Sequence, residues 1–431
     1  MKYLLLLCIG LFLFQLVSAQ EKSRNAEEYK LVAEDGAWCW FSDPRAVYYK
    51  GSHNRIYYSY INSKGDVMIS ARDLRTKVIE TFTLHEKLEI DDHDVASILF
   101  LPDGRLLTFY TEHNGISFSR KSRNPEDITS WEEERVLAFN GDRITYSHPV
   151  MLSEEKNRIY LFWRGRNAKP APGFFNDWRQ YFSYSDDGGD TWAAAKNYID
   201  NEGLNNPPYL KASGDGRSRI DFAFTVGHPG VGAEISLYHM YYEKGAFYQT
   251  NGEKIAALEE LPLALTQVHK VYDYQQGKVR SWISDVALDK NKRPAIAYMR
   301  YPSADDHRYY YAYWNGKSWV DEEICKAGGW MPVSKPGEEQ SEPYYGGGIS
   351  LDHKNPSTVY LSRQVNGIFE IERRTLKGKS WVSSTITAHS TVNSMRPYVV
   401  EGYPGNKPIL LWMTGIYIHY TDFHTALRIN E

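Results

Sequence analysis

The chain repeats one pattern of apolar and polar positions seven times: an apolar strand, a short polar turn, and a second apolar strand. Residues 95–110 are typical, with two apolar runs on either side of Pro-Asp-Gly at 102–104, a sequence rich in turn-forming residues. The repeats recur every ~40–60 residues, a period that is typical of four-stranded propeller blades. The pattern therefore predicts an all-β protein, a seven-bladed β-propeller of four-stranded antiparallel blades. The strand pairs begin near Asp43, Val95, His148, Tyr209, Ser284, Gly347 and Pro397.

The repeats set the expected blade boundaries. A further strand is expected in each blade, at 67–71, 116–120, 181–185, 236–242, 309–313, 368–373 and 417–420. Residues 29–33 are expected to add an outer strand to the last blade and so close the ring without an exposed edge. Residues 21–431 are thus expected to form a single propeller domain. The predicted blades span 36–85, 93–138, 145–199, 206–256, 280–327, 343–388 and 394–428.

The first 20 residues have the features of a secretory signal peptide. Lys2 supplies the positive start, residues 4–17 the apolar stretch, and 17–19 a small-residue cleavage site. This apolar run is too short for a membrane anchor. We therefore expect cleavage near Ala19 and a secreted or periplasmic protein that does not associate with a membrane.

Composition limits the classes of molecule that the protein is expected to bind. The net charge of −4 provides no basic field for nucleic acid. The 33 Tyr and 12 Trp residues suit strands first and sugar-stacking surfaces second. Cys39 and Cys325 fall in distant blades and are expected to be buried free thiols. A monomer is expected for a closed ring.

Residues 185–192 form one more specific turn. Their sequence fits Ser-x-Asp-x-Gly-x-Thr-Trp, the Asp box, in which Ser and Asp cap a tight hairpin and Trp packs between strands. This is a folding motif and says little about chemistry. A sialidase would also need three arginines for a carboxylate and a Tyr/Glu pair, and no early Arg-Ile-Pro motif is present.

Polar residues gather where the first strand of a blade begins and the second ends, two points that lie on the same rim of an antiparallel blade. The second blade carries Asp91-Asp92-His93 and Glu112-His113-Asn114 at these points. The next two blades continue the series. The sequence therefore predicts that one rim carries His93, His113, Tyr146, Arg164, Arg166, Tyr209, Lys211 and His228.

These residue types suit β-elimination on a uronic acid. An Arg can hold and neutralise the carboxylate, which makes the neighbouring C5 proton more acidic. A His or Tyr can then remove that proton, and a second group can protonate the leaving oxygen on C4. No metal or organic cofactor is required for this chemistry, and no spacing of His or Cys resembles a metal motif.

Several segments resemble the BNR-4 group of secreted propellers, and within it the ulvan lyases of polysaccharide lyase family 25. They include Asp91-Asp-His93, Thr-Glu-His113-Asn, Thr-Tyr146-Ser-His-Pro149, Tyr-Leu-Phe-Trp-Arg164 and Thr-Val-Gly-His228-Pro. The resemblance implies cleavage of rhamnose-α-1,4-uronate linkages in an anionic polysaccharide. It implies that His93 and Tyr146 are the base and acid, in an order left open, that Arg164 neutralises the carboxylate and that His113 assists. By the same resemblance Tyr209 and His228 would line the substrate subsite. Lys211 and Arg166, which the strand order places on the same rim, are also expected to bind substrate.

The chain departs from that group at one motif, which often reads Thr-Tyr-Pro-Asn-Pro where this chain has Thr-Tyr146-Ser-His148-Pro. His148 is either an extra site group or a turn residue. Arg396 could meet a sulfate or carboxylate group or simply face solvent.

Three other functions stay open at this point. They are a rhamnose-glucuronate lyase or rhamnosidase acting on arabinogalactan, a propeller lectin without catalysis, and an interaction scaffold.

Overall fold

The structure, a computed structural model, is described here for residues 23–139, 143–166, 177–200, 208–230, 232–329 and 345–431. Seven antiparallel sheets of at least four strands are arranged as the blades of a β-propeller, as the sequence predicted. The predicted leader lies outside the described residues. In the part of the chain that the structure describes, no helix has the length and hydropathy to cross a membrane.

The chain enters through β1 (Lys30–Ala33), which belongs to the last blade. Blade 1 contains β2 (Ala46–Lys50), β3 (Asn54–Ile61), β4 (Val67–Asp73) and β5 (Ile79–His85). Blade 2 contains β6 (Ser97–Phe100), β7 (Leu106–Thr111), β8 (Ser117–Lys121) and β9 (Arg135–Val136). Blade 3 contains β10 (Ile144–Leu152), β11 (Arg158–Arg166), β12 (Trp178–Ser185) and β13 (Lys196–Asp200).

Blade 4 contains β14 (Pro208–Gly214), β15 (Arg219–Val226), β16 (Leu237–Glu243), β17 (Ala246–Gln249) and β18 (Lys254–Ala257). Two strands of the connection to blade 5, β19 (Leu263–Ala264) and β20 (His269–Tyr272), extend blades 3 and 4. Blade 5 contains β21 (Ser281–Leu288), β22 (Pro294–Arg300), β23 (His307–Trp314) and β24 (Trp319–Gly328). Blade 6 contains β25 (Ile349–Leu351), β26 (Thr358–Val365), β27 (Ile368–Lys377) and β28 (Ser380–Thr385). Blade 7 contains β29 (Asn393–Val399), β30 (Leu410–His419) and β31 (Asp422–Ile429) together with β1.

Helices are short in the described residues. One α-helical turn spans Tyr274–Gly277. The 3-10 helices are Ala26–Glu28, Asp92–Asp94, Ser153–Glu155, Leu258–Glu260 and Leu265–Gln267. Only Asp92–Asp94 bears on the site described below.

The first and last strands of the chain close the ring. β1 pairs antiparallel with β31, with Lys30 opposite Ile429, as predicted. The expected strand at 417–420 is wrong in one respect, because 410–419 is one continuous second strand and the third strand is β31. The turn falls at Tyr420 and Thr421, after the end of β30. The start of the chain therefore supplies the outermost strand of the last blade.

The core lies mainly between neighbouring blades. The Asp box at residues 185–192 gives one example of such packing. Ser185 Oγ accepts the Gly189 N–H (2.8 Å), and Asp187 Oδ1 accepts the Thr191 N–H (2.9 Å). This cap holds the hairpin so that the Trp192 ring meets Phe109 of blade 2 at 5.7 Å. The predicted role in folding is therefore confirmed. Both cysteines are free, with Cys39 buried and Cys325 only partly buried.

Candidate active site

The predicted rim cluster begins in the 3-10 helix Asp92–Asp94, which precedes β6. Asp91 caps this helix by accepting the His93 N–H at 2.9 Å. His93 was expected at the start of the strand, but β6 begins only at Ser97. The short helix turns the His93 side chain back toward the residues that follow β7.

The Asp91 carboxylate joins two histidines. Its Oδ1 accepts the Nδ1–H of His93 at 2.5 Å, and its Oδ2 accepts the Nδ1–H of His113 at 2.9 Å. The two imidazoles stack at a centroid distance of 4.0 Å with planes 5° apart. Because both Nδ1 atoms are engaged by Asp91, the Nε2 atoms are the ones left for chemistry.

The two stacked imidazoles differ in protonation, although both are bonded to Asp91. Burial opposes the imidazolium at His93, but electrostatic interactions with Cys39, Tyr146 and Asp91 outweigh it and hold the pKa of His93 well above its usual value. A second carboxylate, that of Asp92, lies 3.2 Å from His93 Nδ1 and also favours the imidazolium. Burial and the charge of His93 lower the pKa of His113 to about 4. At neutral pH the pair therefore consists of a His93 imidazolium and a neutral His113.

Tyr146 is placed by a β-bulge at the start of β10. Thr145 pairs with Arg164 and His148 with Phe162, so that Tyr146 and Ser147 together oppose Trp163. The φ of Tyr146 is +67°, in the left-handed region, which is unusual for a bulky residue and costs about 1–3 kcal/mol. The bulge brings the phenol ring to 5.7 Å from the His93 ring. Desolvation raises the pKa of Tyr146 well above 10, although His93 and Arg164 oppose that rise.

Arg164 lies among three aromatic rings. Its Cζ is 4.6 Å from the centroid of Tyr146, 4.9 Å from Trp178 and 5.1 Å from Tyr209. Its Nη2 donates to Asn114 Oδ1 at 2.9 Å, which ties it to the loop that carries His113. The residue is 6% exposed, and its Nε has no hydrogen-bond partner within the described parts of the chain. Among the described residues no carboxylate pairs with this cation, so its charge is available to hold one.

On one side of the cluster, contacts between aromatic rings connect it to residues of blade 4. The ring of Tyr209, near the start of β14, lies 5.8 Å from Tyr146 and 6.0 Å from His228, which follows β15. Phe41 contacts both tyrosines at 4.9 Å, and Trp282 of blade 5 contacts His228 at 5.0 Å. Burial and the Arg164 charge lower the pKa of His228 to about 4, so this ring is neutral. Six of the eight predicted residues, His93, His113, Tyr146, Arg164, Tyr209 and His228, are thus brought together.

The other two residues predicted to bind substrate lie differently. The buried Lys211 ammonium pairs with Asp43 and with the Trp40 carbonyl oxygen, in the interior rather than at the rim. Arg166 is the last residue of β11 and opposes Trp178 across the ladder. Being two residues beyond Arg164, it faces the same side of the strand.

A second layer of polar residues supports the cluster and was not assigned a role from the sequence. Asp92 accepts hydrogen bonds from Arg396 and from the Tyr417 hydroxyl, the latter at 2.7 Å. Arg396 is buried, so the solvent-facing alternative is wrong, and its Nη1 also donates to the Trp38 carbonyl at 2.6 Å. Asp91 is the main omission. Its position two residues before His93 was the available signal, because an Asp at an N-cap binds the backbone two or three residues on.

Within the described residues, two sets of donor atoms are close enough to share a cation. Cys39, Asp92 and His93 form one, and Asp91, His93 and His113 the other, with ligand atoms within 4.8 Å of one another. His93 Nδ1 and His113 Nδ1 are already engaged with carboxylates. The hydrogen-bonded arrangement accounts for their positions, and we assign no metal here.

The sequence of this repeat array identifies its family. The profile of the BNR repeat-containing family matches residues 55–327, nearly two thirds of the chain. The chain belongs to this family. The match covers His93, Tyr146, Arg164 and His228. No curated protein sequence matches the chain.

Solved structures give the same architecture. A polysaccharide lyase family 25 ulvan lyase bound to -[GlcA(1-4)Rha3S]- is 16% identical, with a TM-score of 0.69 over 93% of this chain and 94% of that one. A second structure of such an ulvan lyase has a TM-score of 0.68 at the same identity and coverage. An α-L-arabinofuranosidase from Fusarium graminearum is 13% identical, covers 93% of this chain and 97% of that chain, and has a TM-score of 0.45. At these identities the likeness to the ulvan lyases shows the shared propeller fold.

Proposed function

We propose that the protein is a polysaccharide lyase that cleaves a 4-linked uronate by β-elimination. The observation that carries this proposal is a chain of contacts: Asp91 bonds His93 and His113, Tyr146 lies 5.7 Å from the His93 ring, and Arg164 lies 4.6 Å from the Tyr146 ring. A propeller that only binds glycans does not need these four groups side by side. They are a neutral imidazole, an imidazolium, a phenol and a guanidinium. Ulvan, a rhamnose–uronate polymer, is the substrate we favour, by analogy with the fold's neighbours.

The first step is to neutralise the uronate carboxylate. Arg164 supplies the guanidinium, held between Tyr146, Trp178 and Tyr209 so that little side-chain entropy is lost when substrate binds. The imidazolium of His93 offers a second positive charge through Nε2–H. Together they stabilise the enolate-like charge that develops when the C5 proton leaves.

The second step transfers protons. His113 is the ring with a free lone pair at Nε2, because its pKa of about 4 leaves it neutral at pH 7. We assign it as the base that takes the C5 proton. The electrons of that C–H bond form the C4–C5 double bond, the C4–O bond breaks, and the Tyr146 hydroxyl donates its proton to the leaving oxygen. The charges of His93 and Arg164 favour the phenolate that results, which later recovers a proton from the His113 imidazolium through water.

This assignment exchanges the roles that the family resemblance implied for the two histidines. The reason is that His93 lies near two carboxylates, Asp91 and Asp92, whereas His113 touches only the first. Of two stacked imidazoles, the one with two anionic neighbours keeps the proton. Tyr146 stays in its implied pair as the acid.

The function is tested by incubating the purified protein with ulvan, with arabinogalactan and with neutral arabinan, and by following the ultraviolet absorbance of an unsaturated uronate. The proposal expects growth of that signal with a uronate polymer and none with arabinan. Release of saturated rhamnose without absorbance would make the protein a glycosidase. Binding without any product would make it a lectin.

Location and assembly are also proposals. The segment 1–20 would direct the enzyme to the periplasm or outside the cell, where an anionic polysaccharide is encountered. The size of the secreted, processed chain, measured by mass spectrometry of the culture medium and periplasm, tests this. Analytical ultracentrifugation tests the expected monomer.

A further inference from the structure

The bulge that carries Tyr146 needs a partner to hold it. Tyr146 has a positive φ, and its carbonyl lies where the one-for-one pairing of β10 with β11 is interrupted between Thr145 and His148. A tyrosine leaves such a conformation readily unless the surrounding structure fixes it. Packing against Phe41, Tyr209 and Arg164 holds the ring, but these contacts are to the phenol, and the backbone torsion needs a contact of its own.

His148 makes that contact. Its Nδ1–H donates to the Tyr146 carbonyl oxygen at 2.9 Å, across one intervening residue, and the ring is 1% exposed. A carbonyl only accepts, so the proton of the neutral imidazole must be on Nδ1. Burial and the Lys211 charge lower the pKa of His148 to about 4, which keeps it in that neutral form. Its Nε2 is buried without a hydrogen-bond partner in the described part of the chain, so the ring's polar contact is spent on Tyr146.

We infer that His148 is a positioning residue for the proposed lyase reaction: its Nδ1–H locks the bulge at Tyr146 and so aims the phenol at the leaving oxygen. The inference rests on the proposed function. His148 lies away from the reacting atoms, since its donor meets the backbone of Tyr146 and not the phenol. The ambiguity left by the sequence, extra site group or turn residue, is thereby resolved in favour of a third role.

The geometry of the contact predicts which substitutions are tolerated. Nδ1 of His is bonded to Cγ, and Nδ2 of Asn is bonded to the corresponding Cγ, so His148→Asn places an N–H donor at the same distance along the side chain. His148→Gln moves the donor one atom farther, and His148→Leu removes it while filling part of the space. Activity should therefore follow the position of the donor and not the size or charge of the side chain.

The kinetic test measures kcat and KM of the three variants on the uronate polymer that the wild type cleaves. We expect His148→Leu and His148→Gln to lower kcat by about 10²-fold, the cost of a misplacement of roughly 1 Å, with KM changed less than about threefold. His148→Asn should stay within about fivefold of wild type. Equal kcat values for the Leu and Asn variants, or a loss confined to KM, would overturn the inference.

The structural test does not depend on activity. Crystal structures of the wild type and of the Asn and Leu variants should show Tyr146 at a φ near +67° in the first two, and either a relaxed φ or a ring displaced from Arg164 in the Leu variant. An unchanged Tyr146 in a folded Leu variant would overturn the inference. If the wild type cleaves no uronate polymer, the proposed function fails, and the torsion at Tyr146 still decides whether His148 fixes the bulge.

Discussion

The charge division between the stacked histidines predicts the pH dependence of catalysis. If His113 is the base, kcat/KM should fall on the acid side only where His113 takes a proton, at a pKa of about 4. A base with an ordinary histidine pKa would instead give a fall near pH 6.5. The alkaline side should stay flat through neutrality, because the His93 imidazolium has a pKa well above its usual value.

Replacing His93 by Gln should move the fall of kcat/KM on the acid side, the acid limb of the profile, to higher pH. Two unit charges 4.0 Å apart repel by about 4 kcal/mol at an effective dielectric of 20, equivalent to about three pH units. Burial is the larger cause of the low pKa of His113. Because burial persists in the variant, the pKa should not rise by the full amount. The hydrogen bond that His113 donates to Asp91 also persists and favours the imidazolium. We therefore expect the limb to rise by about 1.5–2 pH units, to about pH 6.

The measurement is kcat/KM between pH 3.5 and 9, from initial rates of unsaturated uronate formation. The exposed His424 offers a matched control, because its side chain lies near Asp422, outside the cluster, so that His424→Gln makes the same change and should leave the profile unmoved. A wild-type limb near pH 6.5, or a limb that stays in place in His93→Gln, would refute the reasoning and return His93 to the role of base.

Four further changes test other parts of the account. Tyr146→Phe should lower kcat by about 10²–10⁴-fold with an unchanged circular dichroism spectrum, since only the proton donor is lost; a variant with more than a tenth of wild-type kcat would contradict the assignment. Arg164→Lys should lower kcat/KM by at least about 10²-fold because the planar fork is lost, and a fall below tenfold would count against carboxylate binding there. Lys211→Met should reduce the free energy of unfolding in urea by about 3–5 kcal/mol by leaving Asp43 less compensated. Against the effect of burial, Arg45 and Lys211 together lower the pKa of Asp43 to about 2, so its stabilising effect is present above about pH 4 and lost toward pH 2. Without Lys211 the loss should begin at a higher pH, and acid unfolding unchanged from wild type would refute the pairing with Lys211. Trp192→Ala should cost about 1–3 kcal/mol of stability, because Trp192 is only partly buried, without changing kcat/KM; lost activity in the folded protein would contradict a purely structural Asp box.

The architecture followed from the sequence because blade geometry is local. Each first and second strand is an alternating apolar run bounded by turn residues, and antiparallel pairing sends the start of one and the end of the other to the same rim. That rule was enough to place His93, His113, Tyr146, Arg164, Tyr209 and His228 together. It failed at 417–420 because nothing in the alternation of β30 marks where a long strand should be divided.

The charges of the site could not be predicted in the same way. Whether His93 or His113 carries the proton depends on Asp91 and Asp92 lying within about 3 Å, which requires the 3-10 turn as well as the strand order. Lys211 shows the same limit. Its place near the start of β14 suggested the rim, but the segment that precedes β2 offers it the Trp40 carbonyl and the Asp43 carboxylate in the interior.

The central claim is that the bond is broken by elimination and not by hydrolysis. Mass spectrometry of oligosaccharides released from ulvan in H₂¹⁸O measures this directly, since elimination adds no water to the cleaved bond. The account predicts products one water lighter than the hydrolytic ones, with no ¹⁸O and a double bond in the terminal uronate. Saturated products that carry one ¹⁸O at the new end would contradict it.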